Sequence, residues 1–211
     1  MGDNVSSADN QQGSRFISSE IDPSETTRRA PFSEGEVKAY LLGSLHDATF
    51  SSNKRFRFSQ KGTEWLLILK HLLQSIGYNS WIYQEGKSRS VYVLETLASF
   101  LDFKCNPLEF KTTAERISYV RGFFDAEGGI PKNGKRFYIQ LVQKDKPKLE
   151  KLKRILSAAR IQTGKIHNPS REVDPEYWRM YVLSGSHTQF ARIVGSWHPR
   201  KSELLRKRMK I

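Results

Sequence analysis

Residues Thr112 to Ile130 read TTAERISYVRGFFDAEGGI, and a fainter copy of this stretch, SEGEVKAYLLGSLHDATF, runs from Ser33 to Phe50. Two copies in one chain imply two pseudo-equivalent halves. In the later copy a capping box opens an apolar helical run that ends on two acids, Asp125 and Glu127, just before a glycine pair. Carboxylates at a helix C-terminus face the negative end of the peptide dipoles, a misplacement of roughly 0.3–1 kcal/mol that a cation should offset. If the two helices pack through Gly43 and Gly122, their acidic ends converge and repel as well. A divalent ion between them answers both problems, and hard oxygen donors suit magnesium or calcium.

The alignment of the copies rests on several matches. Ser33 with Glu36 and Thr112 with Glu115 form the S/T-x-x-E capping box, and a glycine follows each cap ten residues later. Downstream, FRFSQK (Phe56 to Lys61) answers YIQLVQK (Tyr138 to Lys144), which sets Gln60 opposite Gln143 at the end of a strand-like run. Two helical patterns follow in matching phase, Leu66, Leu69, Leu72 and Leu73 against Leu149, Leu152, Ile155 and Leu156. Then VYVL (Val91 to Leu94) matches MYVL (Met180 to Leu183) as strands. Each half reads as helix, strand pair, helix, strand, helix. The division is a tail over 1–32, expected to be disordered, a first repeat over 33–110 and a second over 111–211.

These residues resemble the LAGLIDADG homing endonucleases over nearly all of the chain from Ser33 onward; VRGFFDAEG (Val120 to Gly128) matches the family's nine-residue motif closely. The resemblance implies an α+β monomer of two αββαββα repeats packed through their motif helices, with two four-stranded antiparallel sheets forming a saddle over double-stranded DNA. On that match Glu127 falls at the metal-binding acid, the eighth motif position, and Gly122 at the small residue that lets the helices touch. Lys111, in PLEFK before the second motif helix, and Lys201, in HPRK before the last helix, match lysines that approach the active site. Gln60 and Gln143 stand where the family keeps a polar residue that positions water. The implied cofactor is Mg2+, with Ca2+ binding without supporting cleavage and Mn2+ as a substitute.

The first copy departs from the motif. Aligned on Gly43, LLGSLHDAT (Leu41 to Thr49) puts Ala48 at the eighth position and Asp47 one residue early. One residue is about 100° around a regular helix, so Asp47 points elsewhere unless the final turn tightens toward 3₁₀. Either Asp47 is the second metal ligand or the site has one good acid.

Composition fits a phosphate-rich partner. Lys and Arg number 35 against 22 Asp and Glu, a formal charge of +13. Location narrows this further, because basic and amide residues interleave with aromatics in the predicted strands. In a period-two strand Arg55, Arg57, Ser59 and Lys61 share one face while Phe56 and Phe58 share the other, so the first set faces DNA and the second packs under the helices. The same surface is expected to include Lys54, Lys87, Arg89, Lys132, Lys135, Arg136, Gln140 and Lys144. A two-stranded ribbon fits the major groove, where Arg and Gln read base edges.

Other chemistries lack support. Cys105 is the single cysteine, which excludes an intramolecular disulfide and a multi-thiolate zinc site. His46, His71, His167, His187 and His198 show no metal-ligand spacing, and no G-x-S-x-G or P-loop pattern occurs. No apolar run approaches the ~20 residues that span a bilayer, so the expectation is a soluble intracellular protein with neither a membrane nor a small-molecule partner. The reading is a metal-dependent endonuclease that recognises a long asymmetric duplex site and hydrolyses one phosphodiester in each strand. Nicking, DNA binding without cleavage, and intron RNA maturation are its alternatives.

Overall fold

The computed structural model describes residues 32–86, 89–131 and 137–210. The expected DNA contacts at Lys87, Lys132, Lys135 and Arg136, and all of the expected tail except Phe32, lie outside the described residues.

The first half runs α1 (Glu34–Ser44), a 3₁₀ turn (Leu45–Asp47), β1 (Ala48–Phe50), β2 (Phe56–Gln60), α2 (Glu64–Ser75), β3 (Ser80–Gln84) and β4 (Tyr92–Thr96). The second runs α3 (Thr113–Glu127), β5 (Gly128–Gly129), β6 (Ile139–Gln143), α4 (Lys146–Ala158), β7 (Trp178–Val182), α5 (His187–Ile193) and α6 (Pro199–Met209). Both capping boxes form as the sequence requires: the Ser33 backbone N–H donates to Glu36 at 3.0 Å and that of Thr112 to Glu115 at 2.8 Å, with each hydroxyl accepting the return bond. They fix where the two motif helices begin.

Each half pairs an antiparallel sheet with amphipathic helices. The first sheet has the order β1-β2-β4-β3 and the second β5-β6-β7. The fourth strand expected in the second sheet is reduced to single bridges, Thr163 to Val182 and His167 to Arg179. That segment still runs along β7, where Gly164 N–H donates to Tyr181 at 2.8 Å and His167 N–H to Arg179 at 3.0 Å. Phe56 and Phe58 turn inward from β2 onto Trp65, Leu66, Leu69 and Leu73 of α2, forming the first core. Ile139, Leu141 and Met180 turn onto Leu149, Leu152 and Leu156 of α4, forming the second. Burying leucine-sized side chains contributes about 1.5–3 kcal/mol each, so each half holds an apolar core of its own. The motif helices α1 and α3 lie between these cores. Ala39 of α1 belongs to the second core and Leu42 touches both, which locks the halves together.

Candidate active site

The seam between α1 and α3 is a backbone-to-backbone contact. A Cβ on Gly43 would stand 2.8 Å from the Phe123 nitrogen and 3.0 Å from the Tyr119 carbonyl carbon; one on Gly122 would stand 2.9 Å from the Tyr40 carbonyl carbon and 3.0 Å from the Ser44 nitrogen. Only glycine permits this approach from both sides. The seam delivers the C-terminal ends of both helices to one place.

The two ends are built differently. Helix α3 stays α-helical to Glu127, whereas α1 stops at Ser44 and continues as the 3₁₀ turn Leu45–Asp47. From Gly43 to Asp47 the chain climbs one α residue and three 3₁₀ residues, about 7.5 Å; from Gly122 to Glu127 it climbs five α residues, also about 7.5 Å. The accumulated rotations differ by about 40°, instead of the ~100° a missing residue would cost in a regular helix. Strand pairing gives the same correspondence. Ala48, just after Asp47, pairs with Phe58, and Gly128, just after Glu127, pairs with Leu141, two residues before Gln60 and Gln143 respectively. The tightened turn therefore absorbs the missing residue.

Asp47 lies near enough for its charge to act on Glu127, and both carboxyls are shifted upward. Burial raises the Asp47 carboxyl to about 6, against the opposing effects of Lys201 and a hydrogen bond donated by the Gln60 amide. Asp47 keeps an exposed side, so solvent screens part of this. Burial also raises Glu127, and the charge of Asp47 raises it further while Lys201 opposes both. The Glu127 carboxylate makes no hydrogen bond among the described residues. Two carboxylates that resist ionisation together are a site short of positive charge.

Part of that charge is supplied by Lys201. Its ammonium lies buried under the end of α3 and donates to the carbonyls of Phe124 and Asp125, each at 2.7 Å. It is the cation that the helix dipole calls for. Burial pulls the group down to about 8, while Asp125, Asp47 and Glu127 favour its charged form. Asp125 is the anchor behind it. Wholly buried, it accepts from Tyr40 Oη at 2.7 Å, Trp197 N at 2.8 Å, His198 N at 3.1 Å and the Ser196 hydroxyl. These bonds pin the start of α6, and so Lys201, to both motif helices. Sequence reading paired Asp125 with Glu127 as a second helix-end acid; its four donors make it a structural post instead. Lys111 does not join the site. It is exposed beside the N-cap Thr112, at the far end of the 15-residue α3 from Glu127, a separation of about 22 Å at 1.5 Å per residue.

The glutamines also part company. Gln60 holds Asp47, but Gln143 donates through Nε2 to Nδ1 of His46 at 2.9 Å, while its Oε1 accepts from Lys144 N at 2.7 Å. The second bond fixes the amide orientation, so His46 accepts at Nδ1 and its Nε2–H meets Tyr119 Oη at 3.0 Å. Burial, helped by the charge of Lys148, lowers His46 to about 3 and keeps it neutral. Half-buried, His46 is a polar bridge between the halves, which its lack of metal-ligand spacing gave no reason to expect.

On the sheets, the predicted alternation holds. Phe56 and Phe58 are buried, while Arg57 and Ser59 turn to the opposite face. Arg55 and Arg57 are not free cations there, because Glu95 on β4 pairs with both at 3.0 Å. Lys54, in a turn with φ 57°, and Ser59, Lys61, Arg89 and Lys144 are exposed, and Gln140 is half-buried opposite Tyr181. No helix among the described residues is long and apolar enough to cross a membrane.

Comparison with known proteins bears on this arrangement. The LAGLIDADG-like domain family matches residues 114–195. The chain is 33% identical over 196 residues to the homing endonuclease I-ApeI of Aeropyrum pernix, covering 82% of this chain and 86% of the relative. Among solved structures, I-DmoI in complex with DNA and Mn superposes with a TM-score of 0.57 at 20% identity, over 77% of this chain and 98% of that one. Full-length DUF199/WhiA from Thermatoga maritima superposes at 0.62 and 18% identity, over 87% and 64%. At such identities these two likenesses speak for the fold alone.

Proposed function

The chain belongs to the LAGLIDADG homing endonuclease family, and from that premise we propose that it is a monomeric, site-specific endonuclease that cuts double-stranded DNA with a divalent metal ion, Mg2+ in the cell. The observation that supports this reading is the glycine seam, which brings together the ends of α1 and α3 that carry Asp47 and Glu127, with the charge of Asp47 acting on Glu127. The repeats divide as 33–110 and 111–211, each supplying one acid and one sheet. I-ApeI, the relative that spans most of both chains, is itself a homing endonuclease.

The residues present suit such an ion. Two carboxylates, Asp47 and Glu127, leave the remaining positions to water and phosphate oxygens, the arrangement magnesium prefers. Asp47 and Glu127 would hold it. When bound, a divalent ion supplies an activated water and neutralises charge on the scissile phosphate. Gln60 fixes the Asp47 carboxylate through its amide. Lys201 keeps a positive charge beneath both acids and holds the last turn of α3. Gln143 acts through His46, a positioning role rather than direct contact with water. In-line hydrolysis would leave a 3′-hydroxyl and a 5′-phosphate.

The unequal surroundings of the two acids favour one second reading, in which one strand is cut much faster than the other. Incubating the protein with magnesium and a supercoiled plasmid carrying its target site separates the outcomes. Linear product is expected; open circle alone would establish nicking, and a mobility shift without cleavage would reduce the protein to a binder.

A further inference from the structure

The outer face of the first sheet carries a charged network that the catalytic site does not use. Glu95 lies on β4, central in its sheet, directly opposite Arg57 on β2 and Trp81 on β3. Its side chain is only 9% exposed. One carboxylate oxygen pairs with Arg55 Nη1 at 3.0 Å; the other accepts from Tyr83 Oη at 2.8 Å and stands 3.0 Å from Arg57 Nε. Arg57 Nη2 reaches Glu85 at 2.8 Å, and the Arg55 guanidinium lies over the Trp81 ring, 4.9 Å from its centre.

The fold does not ask for a carboxylate here. Strand register sets Leu94 against Met180, three residues from the match of VYVL with MYVL expected from sequence, so the pseudo-equivalent pair in the second sheet is Gln140 opposite Tyr181, without charge. Burying a charge costs desolvation, and buried ion pairs often contribute no net stability over apolar replacements. In a chain of net charge +13, a carboxylate on the face meant for phosphates also weakens non-specific attraction. What Glu95 achieves is geometric. It fixes two long, rotamer-rich side chains in one orientation before any partner arrives, which removes an ordering cost at binding.

Resting on the reading that this face meets duplex DNA, we propose that Glu95 is a specificity-determining positioning residue, which presets Arg55 and Arg57 as a pair of forks for guanine in the half-site under the first sheet. An arginine fork matches the O6 and N7 acceptors of guanine in the major groove. Residues two apart on a strand are about 6.8 Å apart, roughly two base-pair steps of 3.4 Å. The half-site should therefore hold guanines about two base pairs apart.

Selection of bound fragments from a randomised duplex pool tests this without cleavage. Wild-type protein should select a site with guanines at that spacing. Glu95→Gln should lower preference at those two positions at least about fivefold, leave the preferences of the other half-site in place and tighten binding to unrelated duplex. Glu95→Asp should recover part of the preference. Arg57→Lys, which keeps the charge and loses the fork, should lower one of the same positions, and it decides the matter if Glu95→Gln does not fold. An unchanged guanine preference in Glu95→Gln, or equal loss across both half-sites, overturns the proposal alone. A wild-type protein that selects no sequence overturns it together with the function it rests on.

Discussion

The two motif-helix ends cover the same rise with different residue counts. In α3, five α-helical residues carry the chain from Gly122 to Glu127; in α1, four residues cover the same rise because the last three are 3₁₀. Function at this seam depends on where a carboxylate arrives, and rise and rotation per residue can be traded against residue number. The sheets differ in a parallel way. The first presets its arginines with Glu95, while the second meets the same register with Gln140 and Tyr181. A pseudo-symmetric scaffold thus supports two chemically unlike halves, as an asymmetric target requires.

The largest effect that would break this comparison is chemical. Glu127→Gln and Asp47→Asn should each slow cleavage of a cognate plasmid by roughly 100-fold or more, with DNA affinity in a gel-shift assay nearly unchanged. Full activity in Asp47→Asn would mean that only one helix end serves the reaction. Next in size is the seam. Gly122→Ala drives a methyl group into the backbone of α1, at a cost of about 3 kcal/mol, and for a chain of this size thermal melting should fall by roughly 6–12 °C.

A smaller change sharpens the comparison. An alanine inserted between His46 and Asp47 gives the first copy the residue count of the second. If the 3₁₀ and α endings are interchangeable, cleavage should stay within about tenfold of wild type, since a misplacement near 1 Å costs about 100-fold. Loss beyond that would show that the tight turn itself is needed.

The smallest effect is in pH. Asp47 is raised from 3.8 to about 6, so the folded protein binds this proton more tightly than the unfolded chain does. The penalty is absent below about pH 4, grows as the group ionises up to about pH 6 and stays constant above. Denaturant unfolding of metal-free protein should therefore show stability falling across that window. Asp47→Asn should flatten the fall, and millimolar calcium should offset it in wild type only.

Much of this was legible in the chain. Capping boxes and glycine spacing are local signals, so the two motif helices, their seam and the placing of Glu127 followed from residue types and short distances along the sequence. Period-two alternation likewise set Phe56 and Phe58 inward and Arg57 outward. The lysine match misled for Lys111 alone, which precedes α3 in sequence and so falls at the wrong end of a rod about 22 Å long. Equal spacing from a motif does not carry a residue to the motif's other end.

What the sequence determined by itself was the repeat, the two acids and the glycines that bring their helices together, because each follows from backbone geometry within a few residues. Tertiary structure alone decided that a 3₁₀ turn carries Asp47 toward the end of α3, that Lys201 rather than Lys111 lies beneath that end, that Asp125 is a buried hydrogen-bonded anchor and that Glu95 ties down the arginines of the first sheet. Those outcomes depend on burial and on partners 38 to 85 residues away in the chain, and desolvation and Coulomb attraction act through space, which the order of residues does not record.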